Sequence, residues 1–132
     1  MDAEVSDDLF YSKEHEWVII EDGVATIGIS DYAQEALGDI TFIELPGVDD
    51  EVEQFGEIAS IESVKAANDI FSPVSGTVIE VNEAVEADPG IINRSPYNKG
   101  WIAKIRITDA NELENLMTAE EYRSFLESVD RN

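Results

Sequence analysis

The sequence contains no cysteine and a single histidine, His15. The missing thiols exclude cysteine nucleophiles, thiolate metal sites and disulfide bonds within the chain. Any redox chemistry would therefore have to arrive on a cofactor. His15 lies beside Trp17 at the start of a predicted strand, where a lone histidine is more often structural than catalytic. No G-x-S-x-G motif supplies it with a nucleophile.

Basic residues are also scarce, because eight Lys and Arg face thirty Asp and Glu, for a net charge of −22. A surface this acidic repels phosphate backbones and anionic lipids, so we expect neither nucleic acid nor a membrane as a partner. Three explanations of the charge remain open: a solvated acidic shell, steering of the protein toward basic protein surfaces, and adaptation to salt.

Several kinds of segment and motif are missing. No run approaches the 18 apolar residues of a membrane helix, and residues 1–8 are acidic where a targeting segment would be basic. We therefore expect a cytoplasmic location, or the mitochondrial matrix only for a mature eukaryotic form. Without a G-x-G-x-x-G motif, a P-loop or an EF-hand loop, we predict no nucleotide site, no metal site and no catalytic residue.

The 132 residues fit one domain with a real core. We predict a single domain over 1–132, with a β core over about 17–107 and a C-terminal helical extension over about 111–130. Strands are predicted at 17–20, 24–29, 41–45, 56–64, 70–71, 76–81 and 101–107. This pattern predicts a mainly β fold with a short inserted helix and C-terminal helices.

The predicted helices have sequence signals for where they begin and end. Asp31 with Gln34 resembles a capping box, and Gly38 is placed to end a short helix. Thr118 with Glu121 resembles a second capping box, followed by apolar residues at helical spacing up to residue 129. A shorter helix is predicted over 111–114.

Lys65 is isolated among acids. From residue 14 to residue 93 it is the only Lys or Arg among nineteen Asp and Glu. It lies between two predicted strands, in Glu62-Ser63-Val64-Lys65-Ala66, with small residues after it. A turn at 66–69, a short strand and the turn Ser72-Pro73-Val74-Ser75-Gly76 follow. The order of these elements matches the way lipoyl and biotinyl carriers display a lysine. The order is a strand, the lysine turn, a strand, the Ser-Pro-x-x-Gly turn and a strand.

At this point the sequence resembles the H-protein family of the glycine cleavage system. The similarity extends in order over most of the chain. The matching stretches are His15-Glu16-Trp17, Ala25-Thr26-Ile27-Gly28-Ile29, Leu37-Gly38-Asp39, Glu44-Leu45-Pro46, Glu62-Ser63-Val64-Lys65-Ala66, Ser72-Pro73-Val74-Ser75-Gly76, Glu80-Val81-Asn82, Pro96-Tyr97 and Gly100-Trp101. Val64 separates the motif from typical lipoyl domains, which have Asp there, and from biotin carriers, which have Met.

The resemblance implies a barrel-sandwich hybrid fold, lipoic acid in amide linkage to Lys65, and a carrier without catalysis of its own. It implies that the lipoyl arm takes an aminomethyl group from a pyridoxal-phosphate glycine decarboxylase (P protein) and delivers it to an aminomethyltransferase (T protein). Dihydrolipoyl dehydrogenase (L protein) then reoxidises the arm, and a lipoyl-attaching enzyme installs it.

Two acids match positions that hold the loaded arm in the family, Glu16 and Asp69. Taken by themselves, Asp69 could equally cap a turn, and Glu16 could be one more solvated acid. Glu14 stands where some relatives have Ser, which leaves a third contact open.

Other functions remain open at this point. The same lysine would serve a protein that relays lipoyl or octanoyl groups during lipoate assembly. A lipoyl or biotinyl domain of another complex, or an acidic β protein with an ordinary exposed lysine, would also fit parts of the pattern.

Overall fold

The computed structural model describes residues 3–130, so residues 1–2 and 131–132 of the predicted domain lie outside the described residues. The strands are β1 (Phe10–Tyr11), β2 (Glu16–Glu21), β3 (Val24–Ile29), β4 (Ile40–Glu44), β5 (Glu51–Val52), β6 (Glu57–Ser63), β7 (Ala67–Phe71), β8 (Gly76–Val81) and β9 (Ala103–Ile107). The helices are α1 (Asp31–Leu37), α2 (Glu83–Ala87), α3 (Gly90–Arg94) and α4 (Ala119–Asp130), and a 3-10 helix spans Ala110–Asn115.

The strands form two antiparallel sheets. The larger has the order β1-β2-β3-β9-β8-β5, and the smaller has the order β4-β6-β7. The predicted mainly β fold, with an inserted helix and C-terminal helices, is confirmed. Hydrogen bonds between strands do not close the sheets into a continuous barrel within residues 3–130.

Alternation along β2 directs side chains to two different clusters. Val18 is fully buried in the main core, which also contains Ile27 of the large sheet and Ile61 of the small sheet. Trp17 instead packs in a second cluster with Tyr122 of α4. Because successive side chains on a strand face opposite sides, one strand joins the core between the sheets to the C-terminal helix outside them.

The predicted start of α1 is wrong by one residue. Ser30, not Asp31, is the N-cap, and its hydroxyl accepts a hydrogen bond from the amide of Ala33 at 3.2 Å. Asp31 is the first helical residue and accepts instead from the side chain of Gln34 at 2.7 Å. The predicted end is confirmed, since Gly38 terminates the helix with φ of 78°.

The predicted turn at 66–69 is also wrong beyond its first residue, because β7 already begins at Ala67. Asp69 pairs with Ser60 on β6, so it is a strand residue and not a turn cap. A short strand, β5 (Glu51–Val52), also forms outside the predicted strands and pairs with β8. Residues with low strand propensity enter these strands because pairing with a neighbouring strand outweighs local preference.

The C-terminal helix agrees closely with its prediction. Thr118 and Glu121 form the capping box, with each side chain bonded to the other residue's amide, at 3.2 and 2.9 Å. The 3-10 helix lies where the shorter helix was predicted. With twelve residues, α4 is the longest helix, and none in the described part of the chain has the length and apolar character of a membrane span.

Gly76 opens β8 at a point of close backbone approach. A Cβ atom there would lie 2.1 Å from the carbonyl oxygen of Arg106 on β9. The Ser-Pro-x-x-Gly sequence therefore needs glycine chiefly because the neighbouring strand leaves no room for a side chain.

Replacing Gly76 by alanine should lower the free energy of unfolding by roughly 1–3 kcal/mol, because the methyl group must push β8 away from β9. Chemical denaturation of both proteins measures the difference. Gly47→Ala is the matched control, since its Cβ would meet only the carboxylate of Asp50 at 3.2 Å. Equal stability of the two variants would contradict the close-approach account.

Candidate functional site

Lys65 lies at the exposed tip of the hairpin between β6 and β7. Ser63 organises this tip, because its hydroxyl accepts hydrogen bonds from the amides of Lys65 and Ala66, each at 3.2 Å. The amide of Ser63 donates to the carbonyl of Ala66 at 2.8 Å and closes the turn. Val64 beside the lysine is 67% exposed. The hairpin thus presents Lys65 to other molecules on a fixed turn.

The stem of Lys65 lies over Gly38 at the end of α1. A Cβ atom on Gly38 would lie 3.3 Å from Cε of Lys65. Asn93 fixes this loop, since its side-chain amide donates to the carbonyl of Gly38 at 2.9 Å. The amide of Val64 donates to the carbonyl of Asp39 at 3.0 Å and ties the hairpin tip to the same loop. The missing side chain of Gly38 leaves a channel for the lysine stem.

A cleft of about 420 Å³ begins beside this turn at Ala66 and extends to Glu16. One wall is α1, which contributes Leu37 among other apolar residues, and the opposite side is formed by β7. No Lys or Arg is among the described residues that line the cleft. It is therefore a largely apolar groove with acids at its far end.

Glu16 is the chemically unusual residue of the cleft, because it is only 2% exposed. The hydroxyl of Ser12 donates to Oε1 at 2.5 Å, and the amide of Phe71 donates to Oε2 at 3.3 Å. Burial raises the pKa of Glu16 to about 7, although both hydrogen bonds lower it. The site therefore holds a carboxyl group that is close to its ionisation point at neutral pH, and a nearby cation would favour the ionised form.

The other predicted arm-binding acid, Asp69, is exposed on β7, the edge strand of the small sheet. It borders the cleft and also a shallower groove beside Ser60 and Glu62. The fold thus brings Asp69 to the same cleft as Glu16, but in a solvated position. Glu14 lines the cleft as well.

His15 forms part of the cleft lining. Its φ of 72° lies in the left-handed region, which residues other than glycine rarely adopt. Its Nδ1 atom is 2.8 Å from the hydroxyl of Tyr122. Burial lowers the pKa of His15, so the ring is neutral near pH 7. A neutral ring fixed by Tyr122 is in keeping with the structural role predicted for this histidine.

The site has the features that a lipoyl-lysine needs. Lys65 is exposed, Gly38 leaves room for its stem, and the adjoining cleft combines apolar walls with a carboxyl group at its end. Within residues 3–130, His, Asp and Glu side chains do not converge into a group that could hold a metal ion.

The sequence did not reveal several residues that build the site. Ser12, 2% exposed, supports Glu16. Phe71 contributes a backbone amide, which no sequence pattern marks. Tyr122 is distant from the lysine in the chain, and the packing of α4 brings its hydroxyl to His15 and Ser30 beside the cleft.

Comparisons with known proteins agree with this geometry. The family model described as "Glycine cleavage H-protein" matches residues 9–129. A glycine cleavage system H protein of Alcanivorax borkumensis is 48% identical over 126 residues, covering 96% of this chain and 98% of the relative. One from Staphylococcus epidermidis is 51% identical over 116 residues, covering 88% and 92%.

A solved structure is also similar. The crystal structure of a glycine cleavage system H protein from Mycobacterium marinum superposes with a TM-score of 0.85 at 36% identity. The match covers 92% of this chain and 98% of that one.

Replacing Glu16 by glutamine should stabilise the unmodified protein above neutral pH. The unfolded chain ionises Glu16 near pH 4.5, whereas the folded chain holds the proton until about pH 7. Ionisation therefore favours unfolding as the pH rises through this window. Free energies of unfolding should show the variant more stable by roughly 1–3 kcal/mol at pH 8 and by much less at pH 4.5. A difference that does not change with pH would contradict the assignment.

Proposed function

This chain belongs to the glycine cleavage H-protein family, and we propose that Lys65 is the residue that bears its lipoyl group. As a member of that family, the protein is a non-catalytic lipoyl carrier of the glycine cleavage system and works with the other components of that system. The observation that carries the assignment of Lys65 is its place on an exposed hairpin tip beside the cleft that ends at Glu16.

Attachment would use the amine of Lys65 and remove its positive charge. Once bound, lipoic acid supplies a dithiolane whose sulfur atoms accept and release an aminomethyl group and electrons, which a cysteine-free chain cannot do. The chain's own part is positional. The Ser63 turn keeps the attachment point exposed, and Gly38 leaves the space in which the lysine stem lies.

We further propose that the cleft receives the end of the arm when it carries a cationic group. Glu16 is the acceptor at the closed end, where Ser12 and the Phe71 amide hold its carboxylate in place. A protonated amine beside Glu16 favours loss of the carboxyl proton, and the resulting ion pair lies in a groove shielded from water. Asp69 contributes a second negative charge at the edge of the cleft.

The individual partners are part of the proposal. We infer that the exposed lysine turn is presented in succession to the pyridoxal-phosphate glycine decarboxylase, the aminomethyltransferase and dihydrolipoyl dehydrogenase, and earlier to a lipoyl-attaching enzyme. What supports this is the exposure of Lys65 and Val64 on a fixed turn, because each enzyme must reach the same side chain.

Intact mass and peptide mapping of the protein from cells with an active lipoyl-attaching enzyme test the assignment. We expect one lipoyl group on the peptide that contains Lys65 and complete loss of modification in Lys65→Arg. Lys99→Arg is the matched control, since Lys99 is exposed but lies outside the hairpin, and it should be modified like the parent protein.

A biotinyl group, or a lipoyl group on another lysine, would refute the assignment. Glycine-dependent carbon dioxide exchange with the partner enzymes then separates the carrier role from a lipoyl relay. The lipoylated parent protein should support exchange, and Lys65→Arg should abolish it. Normal exchange in Lys65→Arg would contradict the arm mechanism.

A further inference from the structure

His15 and Ser30 lie beside the cleft and are joined by a backbone hydrogen bond, from the amide of Ser30 to the carbonyl of His15 at 2.8 Å, and by one side-chain hydroxyl group. His15 lines the cleft just before β2, and Ser30 caps α1, which forms one wall. The hydroxyl of Tyr122, on α4, lies 2.8 Å from Nδ1 of His15 and 2.7 Å from the hydroxyl of Ser30. Tyr122 is fully buried, so water cannot replace it in this bridge.

The hydrogen bonds can form a chain that runs from Ser30 through Tyr122 to His15. Ser30 accepts from the amide of Ala33, so its own proton is available to Tyr122. The hydroxyl of Tyr122 can then donate to Nδ1 of His15, provided that the imidazole is neutral. This arrangement matches the lowered pKa of His15.

The wall that Tyr122 supports is under backbone strain. His15 has φ of 72°, a conformation that costs free energy and persists only where the surrounding structure enforces it. Its ring lies 4.7 Å from that of Tyr32 and 5.9 Å from that of Phe125. Because Glu16 follows His15 directly, a change at His15 is passed on to the acceptor at the closed end of the cleft.

We propose that Tyr122 is a positioning residue, which holds the His15 side chain and the Ser30 cap of α1 in place at the cleft and thereby sets how long the cleft retains the end of the Lys65 arm. This inference rests on the proposed function. It gives α4 a role in the carrier cycle although the helix does not line the cleft. The hydroxyl of Tyr122 contacts His15 and also Ser30, the N-cap of α1.

Tyr11 offers a matched control in the same aromatic stack. Its ring is parallel to that of Tyr122 at 4.2 Å, and it too is fully buried. Its hydroxyl, however, donates to the carbonyl of Ser6 at 2.9 Å, away from the cleft. Tyr11→Phe and Tyr122→Phe therefore each delete one buried phenolic hydroxyl, and only the second touches the walls.

The first test uses the unlipoylated protein. As the only histidine, His15 gives a single imidazole signal in an NMR titration. In Tyr122→Phe its pKa should rise, because the neutral ring loses a donor, and hydrogen exchange of the Ala33 amide should accelerate roughly three- to tenfold. Tyr11→Phe should change neither. Parent-like values in Tyr122→Phe would overturn the proposal.

The second test uses lipoylated protein loaded with an aminomethyl group and kept without partner enzymes. The cargo should be lost roughly three- to tenfold faster from Tyr122→Phe than from the parent protein or Tyr11→Phe. Equal loss from all three, with lipoyl-Lys65 verified by mass, would overturn the role of Tyr122 in retention and leave the proposed function intact. A bare Lys65 in all three would refute the proposed function, while the first test still judges whether Tyr122 positions His15 and the cap of α1.

A second variant covers the case in which Tyr122→Phe does not fold. His15→Asn breaks the chain from its other end, and asparagine tolerates positive φ better than most residues. The Ala33 amide should again exchange faster than in the parent protein. An unchanged exchange rate in this variant would overturn the proposal.

Discussion

A carboxyl group that is 2% exposed must find its hydrogen-bond donors inside the protein, because water cannot supply them. Glu16 finds one in Ser12, which follows β1 of the large sheet, and the other in the amide of Phe71, which ends β7 of the small sheet. The need to satisfy this one carboxyl group therefore ties the two sheets together at the closed end of the cleft. Burial without a basic partner also keeps the group close to its ionisation point, so that it can respond to a cation.

The other end of the cleft exposes Lys65, which we propose as the attachment point. Ser63 closes the hairpin turn, and Asn93 holds the Gly38 loop over which the lysine stem lies. Neither of these contacts involves Glu16. The proposed attachment point and the proposed acceptor are thus fixed independently, with an apolar groove between them, and a long arm could leave and return without refolding the protein. A carrier with several partner enzymes requires this separation between the two ends of the cleft.

The sequence located Lys65 correctly on an exposed turn, because its isolation among acids and the spacing of nearby turn residues are local signals. It could not show which of the nineteen acids between residues 14 and 93 is buried. Burial of Glu16 depends on a backbone amide 55 residues away, and the bridge through Tyr122 depends on a contact between residues 107 positions apart. The sequence predicts a turn at Asp69 because local propensity disfavours aspartate in a strand. In the structure, pairing with Ser60 makes Asp69 a strand residue.

The amide of Phe71 is the most direct probe of the account, since it donates to the Glu16 carboxylate at the closed end of the cleft. Its NMR resonance can be compared in lipoylated protein before and after loading with an aminomethyl group. If the cleft receives the arm, ionisation of Glu16 should shift the Phe71 amide resonance and slow its hydrogen exchange. Changes confined to the turn around Lys65, with the Phe71 resonance unmoved, would contradict the account.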